Sequence, residues 1–343
     1  MPKRALSNHL IERATARLGS AKREAADAAQ FDLERRQAAS TILNPNEVSG
    51  EYEASRLLMT TRRGDMRAIT HADLRAFQSN ISQLKKKFVG GIKAQGVIDL
   101  ALDIDKQRAN KEIRMAVPAS LRGGVVHFIT NAGPDSDVSR HHVHVQFLDF
   151  DAVVGASPND PKKIGKLVTN GRLKFDCDCG RHTFWYRYIA TIGKYNYGRS
   201  ETGFPKIRNP GLKGVACKHA LRVMHVILKD VAVQGKLAQQ VLKAREVLDA
   251  RQLKTEKTKV AELRKMAEVQ HGKRTASTNL KTSAQKAQES AMRKARADMK
   301  KAAVDKAKPT DNLRQVQIHA QSLLKLGAIT QEQYDQIVKG APK

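Results

Sequence analysis

The chain has 343 residues, 41% of them hydrophobic and only 5% aromatic, which sets a prior of about two domains and a core concentrated in part of the chain. Sixty-two lysines and arginines against 34 acids give a formal charge of +28, a field that attracts polyanions and disfavours cationic partners. Three cysteines argue against a disulfide framework, no apolar run approaches the roughly 18 residues of a membrane span, and the opening MPKRALSNHLIER has no signal-peptide core. The expectation is a soluble protein in a reducing compartment, with its thiols free for a metal.

Residues 1–116 read as a helical N-terminal region. Leu6, Leu10, Ala14 and Leu18 recur at helical spacing behind a capping Ser7, and Asn44-Pro45-Asn46 is a stop signal. Thr70 followed by Asp73 has the form of a capping box, opening a helix whose apolar face is Leu74, Phe77, Ile81, Leu84 and Phe88 and whose end is Gly90-Gly91. A further helical piece spans about 103–115.

The character changes at Gly123-Gly124. VVHFIT and HHVHVQFLDF alternate as two strands of an antiparallel pair, and LVTNGRLKFDCDC and HTFWYRYIATIG read as two more, joined at Cys177-Asp178-Cys179-Gly180. Residues 117–228 are thus expected to form a β-rich domain. From Val215 the pattern is helical, with Leu221, Met224, Ile227 and Leu228 on one stripe. Residues 229–308 read as a basic, Lys/Ala-rich helix or disordered arm, and 309–343 as a helical hairpin hinged at Gly327, with Thr330 capping its second helix and self-association as a possible use. The fold class expected is α+β: helical N-terminal region, central β-rich metal domain, basic helical C-terminal arm.

All three cysteines, with His219, fall between residues 174 and 228 as a CxC pair (Cys177, Cys179) and a CxH pair (Cys217, His219). Three thiolates and an imidazole complete a tetrahedral Zn2+ shell and leave no position for a catalytic water. Gly180 is expected to permit a sharp reversal after Cys179. His182 and His225 are alternative ligands without the paired spacing. The segment 174–228 resembles the SWIM-type zinc finger, CxC and CxH on a ββα unit, although the spacer between the pairs is long for that family. The resemblance implies zinc binding and contact with DNA or protein. More loosely, the run from Gly123 to Arg222 is similar to structural proteins of tailed bacteriophages, implying a virion or phage-DNA-associated protein located in the host-cell cytoplasm, the virion, or both.

Arg187, Lys194, Tyr195, Tyr197, Arg199, Lys206, Arg208 and Lys213 interleave aromatic and basic side chains suited to stacking bases and holding the phosphates of DNA or RNA. His141, His142 and His144, with His127 on the expected partner strand, invite a second metal or acid–base site, His142 and His144 sharing one face and Asp149 and Asp151 following; a sheet surface carrying histidines is the preferred reading over a second metal or nuclease centre, since these carboxylates and histidines form no familiar arrangement. The function expected is sequence-independent nucleic-acid association without catalysis. The first alternative is a phage structural protein that assembles through its zinc domain and helices, and the second is a metal-dependent nuclease.

Overall fold

The computed structural model describes residue 30 and residues 59–62, 65–88, 90–134, 136–155, 158–247, 253–272, 279–307 and 311–340. Apart from Gln30, the helix expected over 1–43 lies outside the described residues. Two compact units are present, Met1–Thr282 and Ser283–Lys343.

The first unit is mixed helix and sheet, as the sequence implied. Its described residues from 59 onward start with a two-stranded antiparallel hairpin, β1 (Met59–Arg62) and β2 (Asp65–Ala68), where only helix was expected. Thr60 on β1 is buried and donates its hydroxyl to the Lys206 carbonyl at 2.7 Å. Helix α1 (His71–Lys87) follows, with the Thr70/Asp73 capping box formed in both directions. Leu74 and Phe77 are buried, and Ile81, Leu84 and Phe88 pack partly buried against the core. The short strand β3 (Ile92–Lys93) leads into α2 (Ala94–Leu100) and α3 (Asp103–Glu112).

Three strands then run antiparallel in sequence order: β4 (Ala116–Arg122), β5 (Val125–Asn131) and β6 (Arg140–Phe147). Helices α4 (Phe150–Gly155) and α5 (Pro161–Asn170) intervene before β7 (Arg172–Cys177). LVTN, expected as the start of a strand, is therefore the end of α5. The complete sheet has the order β3-β7-β6-β5-β4-β8, with β8 at Glu256–Lys257. Its edge strands β3 and β8 come from outside 117–228, so elements on both sides of that segment share one sheet.

The sequence reading fails most clearly after Cys179. HTFWYRYIATIG is a turn of π-helix (His182–Tyr186) continued by α6 (Arg187–Ile192), so the second strand of the expected ββα unit is helix. His182, Tyr186, Ile189 and Ala190 are fully buried, which is helical spacing. Gly180 adopts no left-handed conformation, and a Cβ there would meet only Phe184 at an ordinary 3.5 Å; the reversal needs no glycine.

Strand alternation places Val126, Phe128, Val143, Val145, Phe147, Leu173 and Phe175 on one sheet face, all buried. Helix α7 (Lys218–Lys229) reaches β4 to β7 across it, with Leu221, Val223, Met224 and Ile227 inaccessible to solvent. Truncating Met224 to Ala in such a site costs about 2–5 kcal/mol. Helices α8 (Val231–Arg245) and α9 (Val260–Gly272) also pack into this core, through Val233, Leu237, Val241, Leu263 and Met266. The composition had assigned both to the basic arm.

The second unit holds α10 (Ser283–Ala307), α11 (Asp311–Lys325) and α12 (Gln331–Gly340). Gly327 hinges α11 and α12 with φ 70°, and Thr330 caps α12 by accepting from the Gln333 N–H at 3.3 Å. No helix among the described residues is long and apolar enough to cross a membrane.

Candidate metal centre

Strand β7 delivers Cys177 beside Val143 at the end of its ladder. The chain then turns into helix at once: the Cys179 carbonyl accepts from the Thr183 N–H at 3.0 Å. Cys217 is the N-cap of α7, its carbonyl accepting from the Leu221 N–H at 3.0 Å, and His219 lies in the first turn of that helix. Cys179 and Cys217 therefore both stand at helix N-termini, where the backbone dipoles favour a negatively charged sulfur.

The ligand atoms of Cys177, Cys179, Cys217 and His219 lie within 4.8 Å of one another, and all four residues are buried. Burial pushes the Cys177 and Cys179 thiols well up, reinforced for both by the neighbouring Cys217. Burial also opposes ionisation of Cys217, but the thiols of Cys177 and Cys179 and the rings of His182 and His219 outweigh it and hold that sulfur well below the ordinary thiol range. Three sulfurs this close in a dry site cannot all ionise without a cation among them. Burial lowers the His219 pKa and keeps the ring neutral, the form in which imidazole binds metals. Neither of its nitrogens has a hydrogen-bond partner. The cluster fits a metal ion: one cation would partner the orphaned imidazole and neutralise the thiolates, and four protein donors would close its shell.

Groups around these four fix their directions. The His182 N–H donates to Cys179 Sγ at 3.4 Å, and Arg187 Nη2 donates to the Cys177 carbonyl at 3.3 Å. Asp178, between the cysteines, accepts from the His142 N–H at 3.1 Å and from His141 Nδ1 at 2.9 Å. The His141 ring lies 4.3 Å from that of His219. Lys218, between the other two ligands, is paired to Glu112 of α3. His182 is fully buried beside Cys217, with Nε2 3.2 Å from Asp176 Oδ1. It borders the four-residue set, while His225 lies further along α7. His182 was expected only as an alternative ligand, and no role at the cluster was expected of Asp178, His141 or Lys218; Asp178 and Lys218 sit inside the CxC and CxH pairs, the signal that was available.

The eight residues expected at a nucleic-acid contact do not form one surface. Arg187 is buried and donates Nε and Nη2 to Asp176 at 3.0 and 3.2 Å. Tyr195 is fully buried and Lys206 is 4% exposed. Those three support the fold and are not open to a phosphate. Lys194, Arg199, Arg208 and Lys213 are exposed, and Tyr197 is half-buried.

His127 pairs across the ladder with His144, and their rings stack at 4.5 Å. His127 Nε2 and His142 Nδ1 are hydrogen-bonded at 2.8 Å. Burial, with smaller contributions from His144, His142 and Arg140, lowers the His127 pKa to about 3. Among the described residues, the Cys/His cluster is the one group of three or more Cys, His, Asp or Glu side chains spaced for a metal ion.

The chain matches no protein-family model, no curated protein and no solved structure.

Proposed function

We propose that the chain is a zinc-stabilised, sequence-independent nucleic-acid-binding protein, used without catalysis as a virion or DNA-handling component of a tailed bacteriophage. The observation that carries the reading is the +28 charge on a fold whose buried Cys3His cluster has a structural ligand set. Zinc suits that set because thiolate and imidazole are its preferred donors and four-coordination its preferred geometry. The SWIM-like CxC and CxH pairs support the same reading, and binding through phosphates needs no base-specific residues.

The test is binding of mixed-sequence duplex and single-stranded DNA across a salt series, with metal analysis of the same preparation. Binding should weaken steeply and log-linearly with salt, and the bound metal should be zinc at one ion per chain. No DNA binding at low salt sinks the nucleic-acid reading.

A second reading, assembly with other proteins, is favoured by the α11–α12 hairpin. There Ile318, Leu323 and Leu326 are 56%, 43% and 80% exposed, apolar side chains that a partner surface would cover. Stable self-association with no affinity for DNA would favour it.

A further inference from the structure

Helix α1 lies along the segment that follows the CxC pair. Near its N-terminus the Phe77 ring meets Phe204 at 4.4 Å, and Phe204 in turn meets Tyr188 at 5.4 Å. Past its C-terminus the Phe88 ring meets Tyr195 edge-on at 5.0 Å. Gly193 permits that approach, since a Cβ there would lie 2.6 Å from Tyr195 and 2.9 Å from Phe88. The last turn of α1, with Lys85, Lys86 and Lys87 all exposed, is thereby fixed beside the exposed Lys194 turn. Residues 74–98 and 179–229 contain one acid between them, Glu201. It is 6% exposed and accepts from the Gly203 N–H at 2.9 Å. The surface these two stretches present is accordingly cationic without an exposed carboxylate of their own.

We infer that this joint surface, the Lys85–Lys87 turn of α1 together with Lys194, is where the protein grips the phosphate backbone of nucleic acid. The inference rests on the nucleic-acid reading above and places the contact on a helix that reading did not include. One basic residue is enough to complement a helix C-terminus; three in succession splay around the turn and offer charge in several directions. Phe77 and Phe88 are about 16 Å apart along the helix, a rigid seat long enough to hold the lysine turn in fixed register with the loop. Lys194 adds an independent observation. Its φ is 57°, a region where glycine is at ease and lysine is strained. A charged side chain therefore stands where the backbone alone would favour none, and the phosphate contact accounts for it.

The experiment measures binding of a fluorescent mixed-sequence DNA duplex to the full chain across a salt series, in three variants and the wild type. The first, K85Q/K86Q/K87Q, should weaken binding at least about tenfold and flatten the log–log salt slope by about two to three, roughly one for each phosphate no longer neutralised. The second, K254Q/K257Q/K259Q, removes the same charge from exposed positions elsewhere in the first unit and should change affinity less than about threefold. The third, Lys194→Gly, should weaken binding while raising the melting temperature, opposite signs that a purely structural lysine would not produce. Metal content and far-ultraviolet circular dichroism verify that each variant is folded. Equal losses in both triple variants would reduce the effect to overall charge and overturn the inference, as would unchanged binding by the first. A wild type that binds no DNA would overturn the nucleic-acid reading itself. Displacement of the DNA by polyglutamate at equal charge concentration would assign the surface to acidic proteins instead.

Discussion

Asp178 Oδ1 accepts from His141 Nδ1 at 2.9 Å, and the His141 ring lies 4.3 Å from that of the metal-site residue His219. The residue between the two cysteines thus reaches, through one imidazole, the histidine of the cluster. The same carboxylate accepts from the His142 N–H, which ties the Cys177–Cys179 turn to β6. Partners one shell out commonly set metal affinity by 10–100-fold. Asp178→Ala keeps all four donors and should lower zinc affinity by about that factor, measured by competition with a chromophoric chelator. Unchanged affinity would mean that the turn holds its shape without β6.

Removing the ion tests the centre directly. Cys177→Ser and His219→Ala should each reduce bound zinc well below one per chain, and chelation of the wild type should lower its melting temperature by at least about 10 °C. That fall corresponds to several kcal/mol at about 2–4 °C per kcal/mol for a unit of this size. Cys177 and α7 are the sheet end and the helix that the ion would join, so the loss should appear as destabilisation of the first unit as a whole. Full zinc content in both variants would refute the ligand assignment.

The four ligands were legible because thiols and imidazole in two tight pairs have few other uses, and the Thr70/Asp73 capping box was legible because its hydrogen bonds are local. The segment after Cys179 was misread for a physical reason. Phe184, Tyr186 and Tyr188 alternate as strand residues do, yet Phe184 is 38% exposed whereas His182 is fully buried. With that histidine counted as an interior residue, positions 182, 186, 189 and 190 show the helical period that the aromatic alternation concealed. The hairpin of β1 and β2 has no apolar alternation to announce it, and β3 and β8 are two residues each, too short for any periodicity. Arg187, Tyr195 and Lys206 were read as surface from residue type alone; a core that uses Arg187 to hold Asp176 cannot be seen without the tertiary fold.

Arg187 gives a prediction that separates scaffold from surface. Its guanidinium donates twice to Asp176 and once to the Cys177 carbonyl. Burial opposes ionisation of Asp176, but His182 first and Arg187 after it hold its pKa below the usual carboxylate value. Arg187→Ala leaves that carboxylate to His182, 3.2 Å away, and removes three charge-assisted hydrogen bonds, which should cost about 1.5–3 kcal/mol, read from urea unfolding. Among variants that remain folded, the salt slope of DNA binding should match the wild type. A reduced slope at unchanged stability would return Arg187 to the binding surface.

The histidines on the other face of the sheet predict a pH dependence. His127 has its pKa lowered to about 3, chiefly by burial, and burial lowers His144 in the same direction. In the unfolded chain these rings take up protons near pH 6.5. Below that pH the unfolded state binds more protons than the folded one, so stability is fully present above about pH 6.5 and is lost as pH falls toward about 3. Protonation of the metal ligands erodes stability over part of the same range, and the comparison that isolates His127 is therefore between wild type and His127→Gln. The variant keeps a polar group facing His142 but no longer titrates. Its urea midpoint should fall less than that of the wild type between pH 7 and 4.5. Parallel falls would show that His127 is already solvated in the folded protein and that the buried stacking with His144 does not hold it neutral.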